Sequence, residues 1–188
     1  MATTVNTNDN VKQVMNDLLA KYNGGNTMTK LFQEGLRSGN YLVKLVNVKE
    51  GTTRAGDPIV RFIYEIDQPY EFDDDILTNV RITTTFTNGI KQDTEGNDVN
   101  YAVDQLKLAI YDVVTSMIKQ NMEVKQEEVK VLESDSVPEL IEGLHELLNK
   151  ADNANISRSQ EAYVKTTKMP SINGGNDAIF YAVYVDRQ

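Results

Sequence analysis

The one histidine of this chain, His145, stands in the run GLHELL. General acid–base catalysis wants an imidazole with a partner that orients it, so a lone histidine in an apolar and acidic helical run reads as a packing or surface residue. It does not begin the zinc-protease pattern HExxH, because Asn149 occupies the place of the second histidine. Cysteine is absent, which removes thiolate nucleophiles, disulfides and Cys/His zinc sites together. Asp73, Asp74 and Asp75 offer hard oxygen ligands of the kind Mg²⁺ or Ca²⁺ takes. The EF-hand spacing is missing, however, and consecutive acids in a loop point in different directions. A solvated loop that repels unwanted partners is the expectation there. No GxxxxGK[ST] occurs, and Gly174-Gly175 is followed by Asn176 and Asp177, which reads as a turn and not a phosphate cradle. The chemistry-bearing residues therefore point to a non-enzyme with no metal and no cofactor.

A second set of residues suits binding. Lys44, Lys49, Arg54, Arg61, Arg81, Lys165 and Lys168 could contact phosphates, and the hydroxyls of Thr83 and Thr85 could add hydrogen bonds. Bases stack on aromatic rings. Phe62, Tyr64, Phe86 and Tyr181 alternate with aliphatic residues and read as core, which leaves Phe180 and Tyr184 as the stacking candidates.

The net charge of −9 argues against a polyanionic partner if taken as a sum. Its distribution argues otherwise. Residues 70–75 carry Glu71, Asp73, Asp74 and Asp75 with no base, and residues 123–146 carry eight acids against Lys125 and Lys130. These two stretches hold more than the whole excess, so the rest of the chain is free to form a local positive field.

The elements that must position these residues follow from periodicity. Val11, Val14, Met15, Leu18, Leu19 and Tyr22 have helical spacing, closed by Gly24-Gly25. Such a short amphipathic helix needs a surface, on its own domain or on a partner. Residues 1–38 are read as a flexible arm with this helix, and residues 39–188 as the main domain. Strands are expected over Tyr41–Glu50, Ile59–Ile66 and Val80–Phe86, with Gly51–Pro58 as a turn and Tyr70–Asp75 as an acidic loop. The third strand alternates cleanly: Val80, Ile82, Thr84 and Phe86 face one way, and Arg81, Thr83, Thr85 and Thr87 the other. After the polar loop Asn88–Asn100, a helix runs over Tyr101–Met122 with Val103, Leu106, Ile110, Val113, Val114, Met117 and Ile118 as its buried stripe. A second helix starts at Ser136, where Ser136 and Glu139 have capping-box spacing and Pro138 sits in the first turn. Strands Ala162–Met169 and Ala178–Val185 follow, joined by the turn Pro170–Asp177.

Three strands, a helical insertion over 101–150, then two strands is the order of the five-stranded OB-like barrel, mainly β with helices (β-β-β-α-α-β-β). An open mixed α+β sheet with helices on one face has the same order. In the barrel, single strands bind across strands two and three, and the loops Gly51–Pro58 and Pro170–Asp177 close over the ligand.

The stretch Gly39–Val185 resembles phage-encoded single-stranded DNA-binding proteins of the small OB-fold type. The residues that carry this are GNYLVKLVNVKEGTTRAGDPIVRFIYEI, then VRITTTF, the helix AVDQLKLAIYDVV, and a late hairpin from YVKTTK to FYAVYV. The resemblance implies sequence-tolerant coating of single-stranded DNA in phage replication or recombination, in the cytoplasm of the host bacterial cell. It implies a homo-oligomer, with replication or recombination proteins as further partners. The chain ends VYVDRQ, without the acidic tail many such proteins carry. No run of about 18 apolar residues is present, and Met1–Asn10 lacks the basic patch and apolar stretch of a signal peptide, so no membrane partner is expected. A different class fits the net charge: an acidic phage protein whose clustered carboxylates bind and inhibit a host nucleic-acid enzyme. A structural or assembly protein is a third.

Overall fold

The computed structural model describes residues 30–172 and 174–187. The amphipathic stripe Val11–Tyr22 lies outside them.

Strand β1 (Gly39–Thr52) is fourteen residues long and serves two neighbours. Its first part, Gly39 to Val43, pairs antiparallel with β8 (Gln160–Met169), and from Val43 onward it pairs antiparallel with β2 (Pro58–Ile66). The register slips between Leu45 and Asn47, a bulge that adds bend and twist to the strand. β5 (Arg81–Thr87) completes one side of the sheet and β9 (Ala178–Val185) the other, in the order β5-β2-β1-β8-β9. The whole sheet is antiparallel. The edge strands β5 and β9 approach each other, yet no ladder joins them among the described residues. The closed barrel expected from the element order is therefore an open sheet whose twist brings its edges together. It is not a mixed sheet either, because no pair is parallel.

The acidic stretch at 70–75 is not a loop. β3 (Tyr70–Phe72) and β4 (Asp75–Leu77) form a hairpin in which Phe72 stands opposite Asp75. Its two turn residues, Asp73 and Asp74, have φ of 50° and 66°, the signature of the turn that matches strand twist. Tyr70, Phe72 and Leu77 are buried. The polar loop after β5 also holds a small hairpin, β6 (Lys91–Gln92) with β7 (Asp98–Val99).

Helix α1 (Tyr101–Lys119) starts at Asn100, whose side chain accepts from the Ala102 amide at 3.1 Å. α2 (Gln126–Val129) and a 3₁₀ turn (Lys130–Glu133) lead into α3 (Val137–Asn153). The expected capping box at Ser136 is absent. Glu139 instead accepts from the Ser134 hydroxyl at 2.6 Å, and that oxygen accepts from the Ser136 amide at 3.0 Å. α1 and α3 bury Leu106, Ile110, Met117, Leu140 and Leu144 against Leu45, Val48, Val60 and Phe62 of the sheet. Ile118, read from periodicity as part of the buried stripe, is exposed, and Val114 is half-buried.

A second core lies at the other end of the sheet, where Val43, Ile66, Ile82 and Val164 meet the β3–β4 hairpin and Leu31 and Leu36. Three phenols tie down the chain just before β1. Tyr181 and Tyr70 accept from the amides of Leu36 and Arg37 at 3.1 and 3.2 Å, and Tyr41 donates to the Arg37 carbonyl at 2.7 Å. Residues 31–38 thus pack on and bond to the end of the sheet just before β1.

Beyond Val43, no strand among the described residues pairs with β1 on its β8 side, and its carbonyls there find other donors. Arg158, buried, donates to the Leu45 carbonyl at 2.5 Å, and His145 lies 2.8 Å from the Val48 carbonyl. The lone histidine is a cap for the edge of the sheet.

Candidate nucleic-acid interface

Pairing in the sheet arranges the outer-face side chains of β1, β2 and β5 in cross-strand rows. Lys44 stands beside Glu65, which stands beside Arg81; Asn47 beside Ile63 and Thr83; Lys49 beside Arg61 and Thr85. Lys44 and Lys49 are five positions apart, and a regular strand would send them to opposite faces. The bulge at Val46 turns both outward. On β1, β2 and β5 this face thus carries four cations, Lys44, Lys49, Arg61 and Arg81, and one carboxylate, Glu65, and on the neighbouring β8 it continues with Glu161 opposite Leu42.

Glu65 is nearly buried. Its carboxylate lies 3.1 Å from Arg81 Nε and 3.6 Å from Lys44 Nζ. These two expected phosphate contacts are therefore held by an acid that partly neutralises them, a point alternation on one strand does not show. Arg61 lies across Gly51 and donates to the Thr52 carbonyl at 3.1 Å. A Cβ at position 51 would run into the Arg61 guanidinium, so the glycine is what lets that side chain lie flat along the sheet. Neither Arg61 nor Lys49 has an ion-pair partner among the described residues. Thr83 and Thr85 are exposed in the same rows.

Arg54 sits at the exposed tip of the turn between β1 and β2. That turn is closed by the Thr53 amide donating to the Asp57 carbonyl at 2.9 Å and the Asp57 amide to the Thr53 hydroxyl at 3.1 Å.

The rest of the expected set lies on the other side of the sheet. Phe180 and Tyr184 are 53% and 58% exposed on β9. Tyr184 is paired across the strands with Tyr163 of β8, itself 45% exposed. Tyr163 was not among the residues singled out from sequence, although its alternation with the buried Ala162 and Val164 would have found it. Lys165 shares this outer face, opposite Ala182. Lys168, three positions on, has the opposite parity and pairs with Ile179, so it is exposed on the other face and does not join the group. The acids Glu161 and Asp186 lie between the aromatic pair and the cationic rows. The expected residues thus form two patches: a cationic one on β1, β2 and β5, and an aromatic one on β8 and β9.

The carboxylate-rich elements pack on the inner face of the sheet, the helices on Leu45, Val48, Val60 and Phe62 and the β3–β4 hairpin on Val43, Ile66 and Ile82. The turn acid Asp73 is paired with Lys30 at 3.1 Å. On the helical side Glu128 is paired with Lys150 at 2.7 Å, and that lysine holds its carboxyl below the usual range. Lys107 is paired with Asp135 at 2.7 Å. Among the described residues no group of three His, Asp or Glu converges as metal ligands would, Asp73–Asp75 included. No described helix is long and apolar enough to cross a membrane.

The chain matches no protein-family model, no curated protein and no solved structure.

Proposed function

We propose that this protein binds single-stranded DNA on the outer face of β1, β2 and β5, as an OB-type domain. The observation that carries the reading is the row Lys49–Arg61–Thr85 beside Lys44–Glu65–Arg81. It is an excess of cations on one sheet face of a chain whose net charge is −9. Two adjacent cations without a carboxylate are costly to keep unless an anion joins them.

The topology supports the same reading. Strand one shared between strands two and four, with a helix between strands three and four, is the OB connectivity, and that fold is a partly open barrel. The outer face of its second and third strands corresponds to β2 and β5 here, and the turn bearing Arg54 flanks it. Phosphate contacts would come from Lys49, Arg61, Arg54 and the partly neutralised Arg81. The exposed rings of Tyr163, Phe180 and Tyr184 offer sequence-tolerant stacking to bases further along the strand. The resemblance to phage single-stranded DNA-binding proteins adds to this, and implies a role in replication or recombination.

The test is a fluorescence-anisotropy titration with a labelled oligonucleotide of about 30 nucleotides, long enough for one or more OB domains. Binding at micromolar protein in about 50 mM salt, weakening steeply as salt rises, is the expected result. No binding at the lower salt would overturn the proposal.

A further inference from the structure

On the outer face of β8 and β9, two rings and two carboxylates form a block. Tyr163 stands opposite Tyr184, and both rings are exposed. In the next row of the same face Glu161 stands beside Asp186, whose amide donates to the Glu161 carbonyl at 2.8 Å. The rows are two residues apart along each strand, about 7 Å. A base stacked on a ring can therefore turn its edge to a carboxylate. All four residues line one open groove of about 630 Å³, together with Leu42 and Gln68. Gln68 accepts from the Leu42 amide through Oε1 at 2.9 Å, which leaves its amide nitrogen as a donor to the groove.

Stacking on tyrosine takes every base alike. Ionised carboxylates do not, because they only accept hydrogen bonds. Guanine presents N1–H and its N2 amine side by side, two donors that fit one carboxylate. Adenine and cytosine each bring one amine with a ring acceptor beside it. Thymine sets its single N3–H between two carbonyl oxygens, which a carboxylate repels. Like charges opposite each other also destabilise a sheet, and Glu161 makes no ion pair among the described residues that would offset this. Donors from a base would.

The position of the block favours a base over a cationic peptide. Glu161 stands opposite Leu42 of β1, and the outer face continues two residues on to Lys44. A basic segment in the groove would run into the cations of that row. A single strand held on those cations meets carboxylates that repel its phosphates, so it enters the groove by its bases. We infer that the groove at Tyr163 and Tyr184 selects guanine in single-stranded DNA, with the carboxylates of Glu161 and Asp186 accepting from N1–H and the N2 amine and Gln68 donating to O6. The inference rests on the DNA-binding proposal and adds a base preference that stacking alone does not give.

The experiment is an anisotropy titration of the full chain, at one low salt concentration, with labelled strands of about 30 nucleotides. One strand is thymine throughout. In the others about every fifth base is guanine, adenine or hypoxanthine, which lacks the N2 amine; guanines so spaced do not associate with one another. Guanine is expected first, hypoxanthine and adenine behind it and thymine last. Guanine should exceed thymine roughly fivefold, the lower end for a bidentate base contact. Salt slopes should be alike, because the phosphates are the same in every strand. Glu161→Gln and Asp186→Asn leave the cationic rows intact. In each the advantage of guanine over adenine should shrink, and the thymine strand should bind as well or better. Guanine no better than adenine in wild type, or an advantage that survives both substitutions, overturns the inference and leaves the DNA-binding proposal standing. No binding of any strand overturns both. Capture of a labelled oligo-arginine that Glu161→Gln abolishes would then assign the groove to a basic partner.

Discussion

Lys49 on β1 and Arg61 on β2 are cross-strand partners on the outer face of the sheet, and no carboxylate pairs with either among the described residues. Like charges in this relation destabilise a sheet by a few tenths of a kcal/mol, so their loss should not harm the fold. Lys49→Ala and Arg61→Ala are each expected to weaken oligonucleotide binding several-fold. Each should also flatten the log–log salt dependence by about 0.7, the contribution of one phosphate contact on a single strand. Urea midpoints should stay within about 0.5 kcal/mol of wild type. Unchanged salt slopes in both variants would remove these residues from the interface.

Glu65 makes the opposite prediction. Its side chain is 11% exposed and holds Arg81 and Lys44 on either side. Glu65→Gln keeps the shape and an acceptor for Arg81 but deletes the only carboxylate of these rows. Oligonucleotide affinity should rise several-fold, with a steeper salt dependence, because two cations are released toward the ligand. Stability should fall by about 1 kcal/mol, a modest loss because Arg81 and Lys44 remain solvated. Anisotropy titrations of the variant and wild type at two salt concentrations measure the first effect. An affinity that drops would mean Glu65 positions the cations and does not compete with the ligand.

Much of this arrangement was legible in the chain. Runs of Val, Ile and Leu together with alternation gave all five strands of the main sheet to within a few residues, and alternation was cleanest in β5, which has one exposed face and one buried. The faces of β5 were read correctly for the same reason. What alternation could not show is pairing. The bulge at Val46 puts Lys44 and Lys49 on one face, and the register sets Glu65 between Lys44 and Arg81. Both depend on a second strand. Lys165 and Lys168 are a different case, since a three-residue separation already places them on opposite faces. The hairpin at 70–77 was hidden by its charge: Asp73 and Asp74 look like loop residues, yet Asp tolerates the left-handed conformation that a two-residue turn needs. Ile118 was assigned to the core stripe because it stands one turn after Val114, and spacing alone does not place the edge of a buried stripe.

Arg158 shows how far long-range pairing escapes the sequence. It is 113 residues from Leu45, whose carbonyl it reaches at 2.5 Å, and its Nη2 also meets the Asp152 carboxylate at 2.6 Å. Two substitutions separate these contacts. Arg158→Ala strands a buried carbonyl beside the bulge and should cost about 2–3 kcal/mol. Asp152→Asn removes a partner that is 61% exposed and should cost under about 1 kcal/mol. Equilibrium urea unfolding resolves the two. Equal losses would mean that the ion pair, and not the carbonyl, is what Arg158 contributes.

Alkaline pH should loosen the end of the sheet that the phenols hold. Burial, reinforced by the neighbouring Tyr70, pushes Tyr41 up to about 12 from an ordinary value of 10.0. Burial also raises Tyr64, with Asp112 adding to the effect, and raises Tyr181. Each phenol is therefore held neutral in the folded chain at pH values where the unfolded chain has begun to lose that proton. The contribution to stability is fully present below about pH 10 and is lost as pH rises from there toward the folded values. The urea midpoint should be level from about pH 8 to 9.5 and decline progressively above it. Tyr41→Phe removes the bond to the Arg37 carbonyl, so it should lower the midpoint at neutral pH and make the alkaline decline shallower. A midpoint that holds steady to about pH 11.5 in wild type would show that these phenols ionise without cost to the fold.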